Sequence, residues 1–169
     1  MRVNRSPYHF KVTVAFEGEL FPKYKLIAHT TAKVTLKNIP KRVYKTKLQK
    51  TRPYCLHISF VSPSKIKTLN AKYRNKNKIT DVLSFSQLGE KKTPIWTNEI
   101  GEVLVCAHQA KKQAPLFSNS LNNEICRLVA HGILHLFGYD HEKNLKEKTR
   151  MFRLQDKITN SLANRFNRI

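Results

Sequence analysis

The sequence predicts a mixed α+β domain in which a small sheet is packed by helices. Segments with an apolar period of two and segments with a period near 3.6 are interleaved along the chain. At 169 residues the chain is the size of one domain and can bury a single sizeable core, so residues 1–169 are read as one unit. No internal repeat is visible.

The elements follow in order. Phe10, Val12, Val14 and Phe16 alternate with polar residues as a half-buried strand, and Glu17-Gly18 ends it. Residues 24–37 stay open by pattern, because their Thr and Val residues favour a strand without strict alternation. CLHISFV, 55–61, reads as a strand, and Ser62-Pro63 as a helix start with Pro at the first helical position, leading to about Tyr73. DVLSF and EVLVC read as two further strands, the second followed by a helix near His108 to Gln113. Ile125, Leu128, Val129, Gly132, Ile133 and Leu136 follow the spacing of an amphipathic helix, with Ser118, Asn119 and Ser120 as N-cap candidates. Met151, Leu154, Ile158 and Leu162 carry a last helical stripe towards the C-terminus.

The run HGILHLFGYDH holds the chemistry. Residues four apart on a helix lie on nearly the same face, about 5–6 Å between Cβ atoms, so His131 and His135 can offer ring nitrogens to one ion. Both fall on the border of the apolar stripe, where they can line a cleft. Gly138 lets the chain leave the helix through a backbone conformation that side chains resist, and His141 can then swing back as a third ligand. Three protein nitrogens leave a tetrahedral zinc one open position, the arrangement of a catalytic site. The bland alternative, unrelated histidines bonded to carbonyls, is weakened by the third histidine and the intervening glycine. The metal site is thus expected on one helix and the turn after it, with one Zn2+ per chain and no residue assigned to any other cofactor.

The same spacing occurs in metzincin proteases, which need a glutamate directly after the first histidine as general base. Here that residue is Gly132, which argues against peptide hydrolysis by that route.

The full run HGILHLFGYDHE resembles the YbeY family, zinc-dependent endoribonucleases that mature and monitor ribosomal RNA. The block NAKYRNKNKITDVLSF, Asn70 to Phe85, is similar to that family's Tyr-Arg…Thr-Asp-Val-Leu-Ser-Phe block, and IGEVLVC from Ile100 to its Gly-acid-hydrophobic strand. In order and spacing these cover about residues 54–158, while residues 1–52 match loosely. The proline that usually follows the Ser-Phe pair is Ser86 here. The resemblance implies a helix over 24–37.

Other residues must complete the chemistry. Arg74 stands at the family's cleft arginine, where a guanidinium can hold a phosphate and stabilise charge growing on its oxygens. Asp140 and Glu142 flank the third histidine and are candidates to orient an imidazole or accept a proton. Asp140 reads equally well as a turn residue bonding its own backbone. Thr80, Asp81 and Ser84 can line the cleft or hold its loop. His9, His29, His57 and His108 have no metal spacing.

Charge is the second large signal. With 32 Lys+Arg against 11 Asp+Glu the formal net charge is +21 and the pI about 10.2, a field that attracts polyanions. A Lys-rich solvated surface is the plainer explanation. Residues 1–52 hold 13 Lys+Arg against Glu17 and Glu19, dense from Lys37 to Arg52, which reads as an RNA-gripping arm or a charged connection. No apolar run approaches the ~18 residues of a membrane span, and the N-terminus lacks a secretory h-region, so the expected location is cytoplasmic. Cys55, Cys106 and Cys126 show no C-x-x-C pairing and read as buried free thiols. The expected activity is a single-strand-directed, metal-dependent endoribonuclease in ribosomal RNA maturation and ribosome quality control. Its expected partners are ribosomal RNA and ribosomal particles or ribosomal proteins, with no membrane, and the oligomeric state stays open. The alternative is a non-catalytic RNA-binding ribosome-assembly factor with a structural zinc.

Overall fold

Four strands form one sheet in the order β1-β2-β4-β3, in a computed structural model that describes residues 8–17, 22–43, 48, 53–88 and 98–166. Strand β1 (His9–Phe16) pairs in parallel with β2 (Pro53–Phe60), which pairs in parallel with β4 (Glu99–Val105). Strand β3 (Val82–Ser86) lies antiparallel to β4 at the edge, with Ser84 opposite Val103. Alternation in β2 sorts its side chains cleanly. Tyr54, Leu56, Ile58 and Phe60 are at most 1% exposed on the core face, while Cys55, His57 and Ser59 point the other way, half-buried. On that outer face the His57 ring bridges Thr13 at 2.6 Å and Glu99 at 2.7 Å, joining β1, β2 and β4 in an ordinary structural role.

Helix α1 (Pro22–Asn38) settles the segment that sequence pattern leaves open. Its buried residues, Tyr24, Ile27, Ala28, Thr31, Ala32, Thr35 and Leu36, recur at helical spacing once the threonines are counted with the apolar stripe. Thr35 is accommodated because its hydroxyl donates to the Thr31 carbonyl at 2.8 Å. Within residues 1–52, β1 and α1 pack into the main core. Part of the run from Lys37 to Arg52 lies outside the described residues.

Helix α2 (Pro63–Arg74) starts as its residues dictate: the Ser62 side chain accepts from the Lys65 N–H, and Pro63 occupies the first turn. It covers the outer face of the sheet through Ile66, which joins Val61, Leu83, Leu104 and Cys106 in a second, smaller cluster. Its end is fixed by Tyr73, whose ring meets Phe85 edge-on at 5.0 Å, and by Asn75 in the left-handed conformation at φ 56°. Buried Asn70 pins the following loop by donating to the Lys78 carbonyl at 2.8 Å.

Helix α3 (Ala107–Gln113) passes into a 3-10 turn at Ala114–Phe117, which the sequence pattern did not announce. Helix α4 (Leu121–Leu136) follows, and of the three N-cap candidates Ser120 is the cap, accepting from the Asn123 N–H at 3.2 Å. This helix lies against α1, β3, β4 and α5 (Leu145–Phe166). Leu128, Val129, Ile133 and Leu134 on it are fully buried, each such side chain stabilising the fold by roughly 1.5–3 kcal/mol. The three cysteines are free thiols, but Cys55 is only half-buried. Burial pushes the Cys126 thiol up to about 11, against a weaker opposing hydrogen bond with Thr31, which leaves it unreactive at neutral pH. Among the described residues no helix is long and apolar enough to cross a membrane.

Candidate metal centre

The end of α4 builds the site. His131 and His135, one turn apart, project from the flank of the helix, and their Nε2 atoms lie 3.1 Å apart. Two nitrogens bound to one tetrahedral zinc stand ~3.3 Å apart, so this pair needs little adjustment to share an ion. Past Leu136 the helix closes with the Gly138 N–H on the His135 carbonyl at 2.9 Å and the Tyr139 N–H on the Leu134 carbonyl at 3.1 Å. That pair of bonds is a Schellman motif, and Gly138 supplies the positive φ of 83° it requires. The reversal brings the His141 ring to 5.1 Å from His131 and 5.2 Å from His135 between centroids. One ligand atom from each of the three histidines lies within 4.8 Å of the others, so together they can hold a metal ion.

Ligation needs neutral imidazoles, and the surroundings supply them. Burial pushes His131 down to about 4; a hydrogen bond with Gln155 opposes the shift, and the neighbouring His135, His141 and Arg127 add to it. His135 is lowered too, first by burial and then by His141, with Asp140 pulling the other way and Arg74 reinforcing the drop. Gln155, 4% exposed on α5, meets His131 Nδ1 at 2.9 Å through its carbonyl oxygen. That acceptor holds the proton on Nδ1 and leaves the Nε2 lone pair facing the cluster. Phe152, also on α5, stacks on His141 at 5.5 Å and 21° and shields that side of the site. Neutral nitrogens, a defined tautomer and convergent geometry together suit a zinc-type cation.

The other expected residues fall into place unevenly. Arg74, exposed at the end of α2, is close enough for its charge to act on His135. Asp140 adopts the turn arrangement, its Oδ1 accepting from the Glu142 N–H at 2.8 Å, while its charge also acts on His135. Glu142 is exposed on that turn. Asp81 is a framework residue: Oδ1 accepts from the Val82 N–H at 2.9 Å and from the Thr80 hydroxyl at 3.1 Å, and Oδ2 accepts from Gln113 at 2.7 Å. Gln113 also reaches Glu124, fully buried in the first turn of α4 and gripped by Arg127 at 2.6 and 2.9 Å. Ser86, in the usual proline position, donates to the Leu136 carbonyl at 3.0 Å and so ties the sheet edge to the end of the histidine helix.

Gly132 faces the sheet. A Cβ there would stand 2.5 Å from Val103 Cγ1 and 3.0 Å from Ser84 Oγ, so residue 132 looks away from the histidines. The protease base position is therefore missing by packing as well as by residue type. Sequence reading missed Gln155 and Phe152, although a glutamine four residues after Met151 on an otherwise apolar stripe is a visible signal of a buried polar partner.

Comparison with known proteins agrees with this geometry. The family described as Endoribonuclease YbeY matches residues 24–163. An endoribonuclease YbeY of Ureaplasma parvum serovar 3 is 43% identical over 118 residues, covering 69% of this chain and 73% of that protein. One from Persephonella marina is 42% identical over 113 residues, 67% and 73% of the two chains. One from Thermodesulfovibrio yellowstonii is 38% identical over 135 residues, 75% and 84%. The solution structure of a Thermotoga maritima protein superposes with a TM-score of 0.61 at 28% identity, covering 93% of this chain and 92% of that one. With the family match running from α1 to the last turns of α5, and so through all three histidines, the chain belongs to the YbeY endoribonuclease family.

Proposed function

We propose that the protein is a zinc-dependent endoribonuclease that cuts single-stranded stretches of ribosomal RNA during maturation and quality control of the ribosome. The observation that carries this reading is the convergence of His131, His135 and His141 within 4.8 Å beside the charge of Arg74. The names of its relatives and the net charge of +21 point the same way.

Zinc, held by His131, His135 and His141, would supply Lewis-acid polarisation of a phosphoryl oxygen or of water. The chain's own residues do the rest. Gln155 fixes the His131 tautomer, so the ligand lone pair is aimed before any substrate arrives. Phe152 covers the His141 ring and keeps solvent from that flank. Arg74 holds the scissile phosphate and stabilises the charge that grows on its oxygens in the transition state. Asp140, anchored by its turn, holds a proton or orients His135 from the solvent side.

The test is metal content measured alongside cleavage of a labelled ribosomal RNA fragment, before and after chelation. Loss of cutting with loss of one zinc per chain, and its return on adding zinc, is the expected result. Cutting that is equal in wild type, in Arg74→Ala and in chelated protein would assign the nuclease to a contaminant and leave a metal-stabilised, RNA-binding assembly factor.

A further inference from the structure

A groove of about 890 Å³ runs along α5 on the side turned from the core, bounded also by Tyr139 and the segment around Pro40 and Arg42. Among the described residues, the cations Arg42, Lys146, Arg150, Arg153 and Lys157 line it and no acidic residue does. Positions 146, 150, 153 and 157 follow steps of four, three and four, so these side chains form one stripe roughly 16 Å long. The floor between them is apolar, made by Tyr139, Leu145 and Leu154, with Leu145 78% exposed. The Arg150 guanidinium lies 4.8 Å over the Tyr139 ring and is steadied by Glu147 at 3.2 Å.

We propose that this groove binds a single-stranded RNA segment flanking the cleaved bond, with phosphates on the basic stripe and bases against the apolar floor. The inference rests on the ribonuclease reading above and adds an anchoring subsite apart from the reacting centre. Tyr139 links the two places. Its side chain lines the groove, and the same residue stands between the Gly138 reversal and His141, two positions on. The exposed turn at 142–144 joins His141 to Leu145 and Lys146 at the N-terminal end of the stripe.

A nucleic-acid strand repeats an anion and an apolar ring along its length, which is what a row of cations over an apolar floor recognises. An acidic protein segment would have to supply both features at matching spacing. An anionic membrane is the poorer fit, because Met151, Ile158 and Leu162 are turned inward and at most 4% exposed, which leaves Leu145 and Leu154 as the apolar side chains that α5 presents in the groove.

The test replaces Lys146, Arg153 and Lys157 together by Ala, all three being exposed on the helix surface. A control triple, Lys67→Ala, Lys111→Ala and Lys112→Ala, removes the same charge from exposed positions on α2 and α3. Binding of zinc-loaded protein to a labelled 2′-O-methyl oligouridine is followed by anisotropy as salt is raised. The groove triple should lose about 2 from the log–log salt slope, three contacts at about 0.7 each, and bind about tenfold more weakly at physiological salt. The control triple should keep the wild-type slope. On a long cleavable RNA the groove triple should show KM raised about tenfold with kcat kept, since anchoring far from the reacting atoms acts equally on ground and transition states. Equal affinity losses in the two triples, or a fall in kcat at unchanged KM, would overturn the proposal and leave the groove to an acidic protein partner. Wild type that cuts RNA while both triples behave alike refutes only the groove; wild type that neither binds nor cuts RNA refutes the ribonuclease reading with it.

Discussion

His131 on α4 and Gln155 on α5 share a hydrogen bond of 2.9 Å, so the tautomer of a candidate ligand is set by a residue 24 positions away on another helix. Replacing Gln155 by Ala removes the acceptor that orients the ring. Metal affinity, read by competition with a chromogenic chelator, should fall about 10–100-fold with the fold intact by circular dichroism. Gln155→Glu keeps an acceptor at that point and should recover most of the loss. Unchanged affinity in Gln155→Ala would show that the ring is held by packing alone.

His141 is the candidate ligand placed by backbone geometry and not by the helix repeat. His141→Ala should lower zinc occupancy and abolish cleavage, checked by elemental analysis of the purified protein. Full occupancy and activity in that variant would reduce the site to a two-histidine pair and end the three-ligand description.

Arg74→Ala should leave zinc and most RNA affinity in place and reduce single-turnover cleavage on the order of 100-fold or more, because the interaction strengthens as charge develops. Metal content has to be equal in the two preparations for the comparison to hold. A variant that binds RNA much more weakly but cuts bound RNA at the wild-type rate would make Arg74 a binding residue only.

Gly132 separates packing from chemistry. Gly132→Ala puts a methyl 2.5 Å from Val103 Cγ1, so overpacking should destabilise the protein by about 1–3 kcal/mol, measured by urea denaturation. Gly132→Glu should not produce a peptidase, since the carboxylate would be directed into the sheet. Peptide hydrolysis by a folded Gly132→Glu protein would contradict the placement of this residue.

Acid stability should depend on Glu124. Burial alone raises its pKa, but the hydrogen bonds from Arg127, Gln113 and Asn119 outweigh that and hold the carboxyl below the usual range. A folded pKa below the unfolded value of about 4.3 means that the unfolded chain binds the proton more readily. This contribution is fully present above pH ~4.3 and is lost as pH falls through the folded pKa. Glu124→Gln should cost roughly 1–3 kcal/mol at pH 7 and flatten the fall in stability below pH 4.3, seen in urea midpoints across pH. A variant whose stability tracks wild type at every pH would show that the network contributes nothing.

Most of the architecture was legible because its signals are local. The alternation of Phe10 to Phe16, the Ser62-Pro63 start and the stripe through Ile125 to Leu136 all appear as elements where their periods place them. The segment 24–37 resisted pattern reading because Thr31 and Thr35 are polar by residue type but fully buried in fact, the Thr35 hydroxyl being accommodated by the Thr31 carbonyl. Strand order was not legible, since β4 inserts between β2 and β3 through contacts distant in sequence. At the site, spacing revealed the three histidines because they sit within eleven residues of one another. Gln155 and Phe152 were not seen because each reaches the site from elsewhere in the chain, and Ser86 was visible as a departure from the family pattern but its bond to the Leu136 carbonyl was not.

The closed turn after α4 bears on how the protein meets its ion. Of the three histidines that could hold an ion, two sit on a helix buried along most of its length and the third sits on a reversal locked by two backbone bonds, so their positions are set by the fold. Capture of an ion by these side chains is therefore expected to be a docking event and not a folding event. Stripping the metal should leave the far-ultraviolet spectrum unchanged and shift Tm only by the linkage term that any ligand selective for the native state provides. In this respect the centre differs from zinc-finger domains, whose chains collapse into order only around the ion.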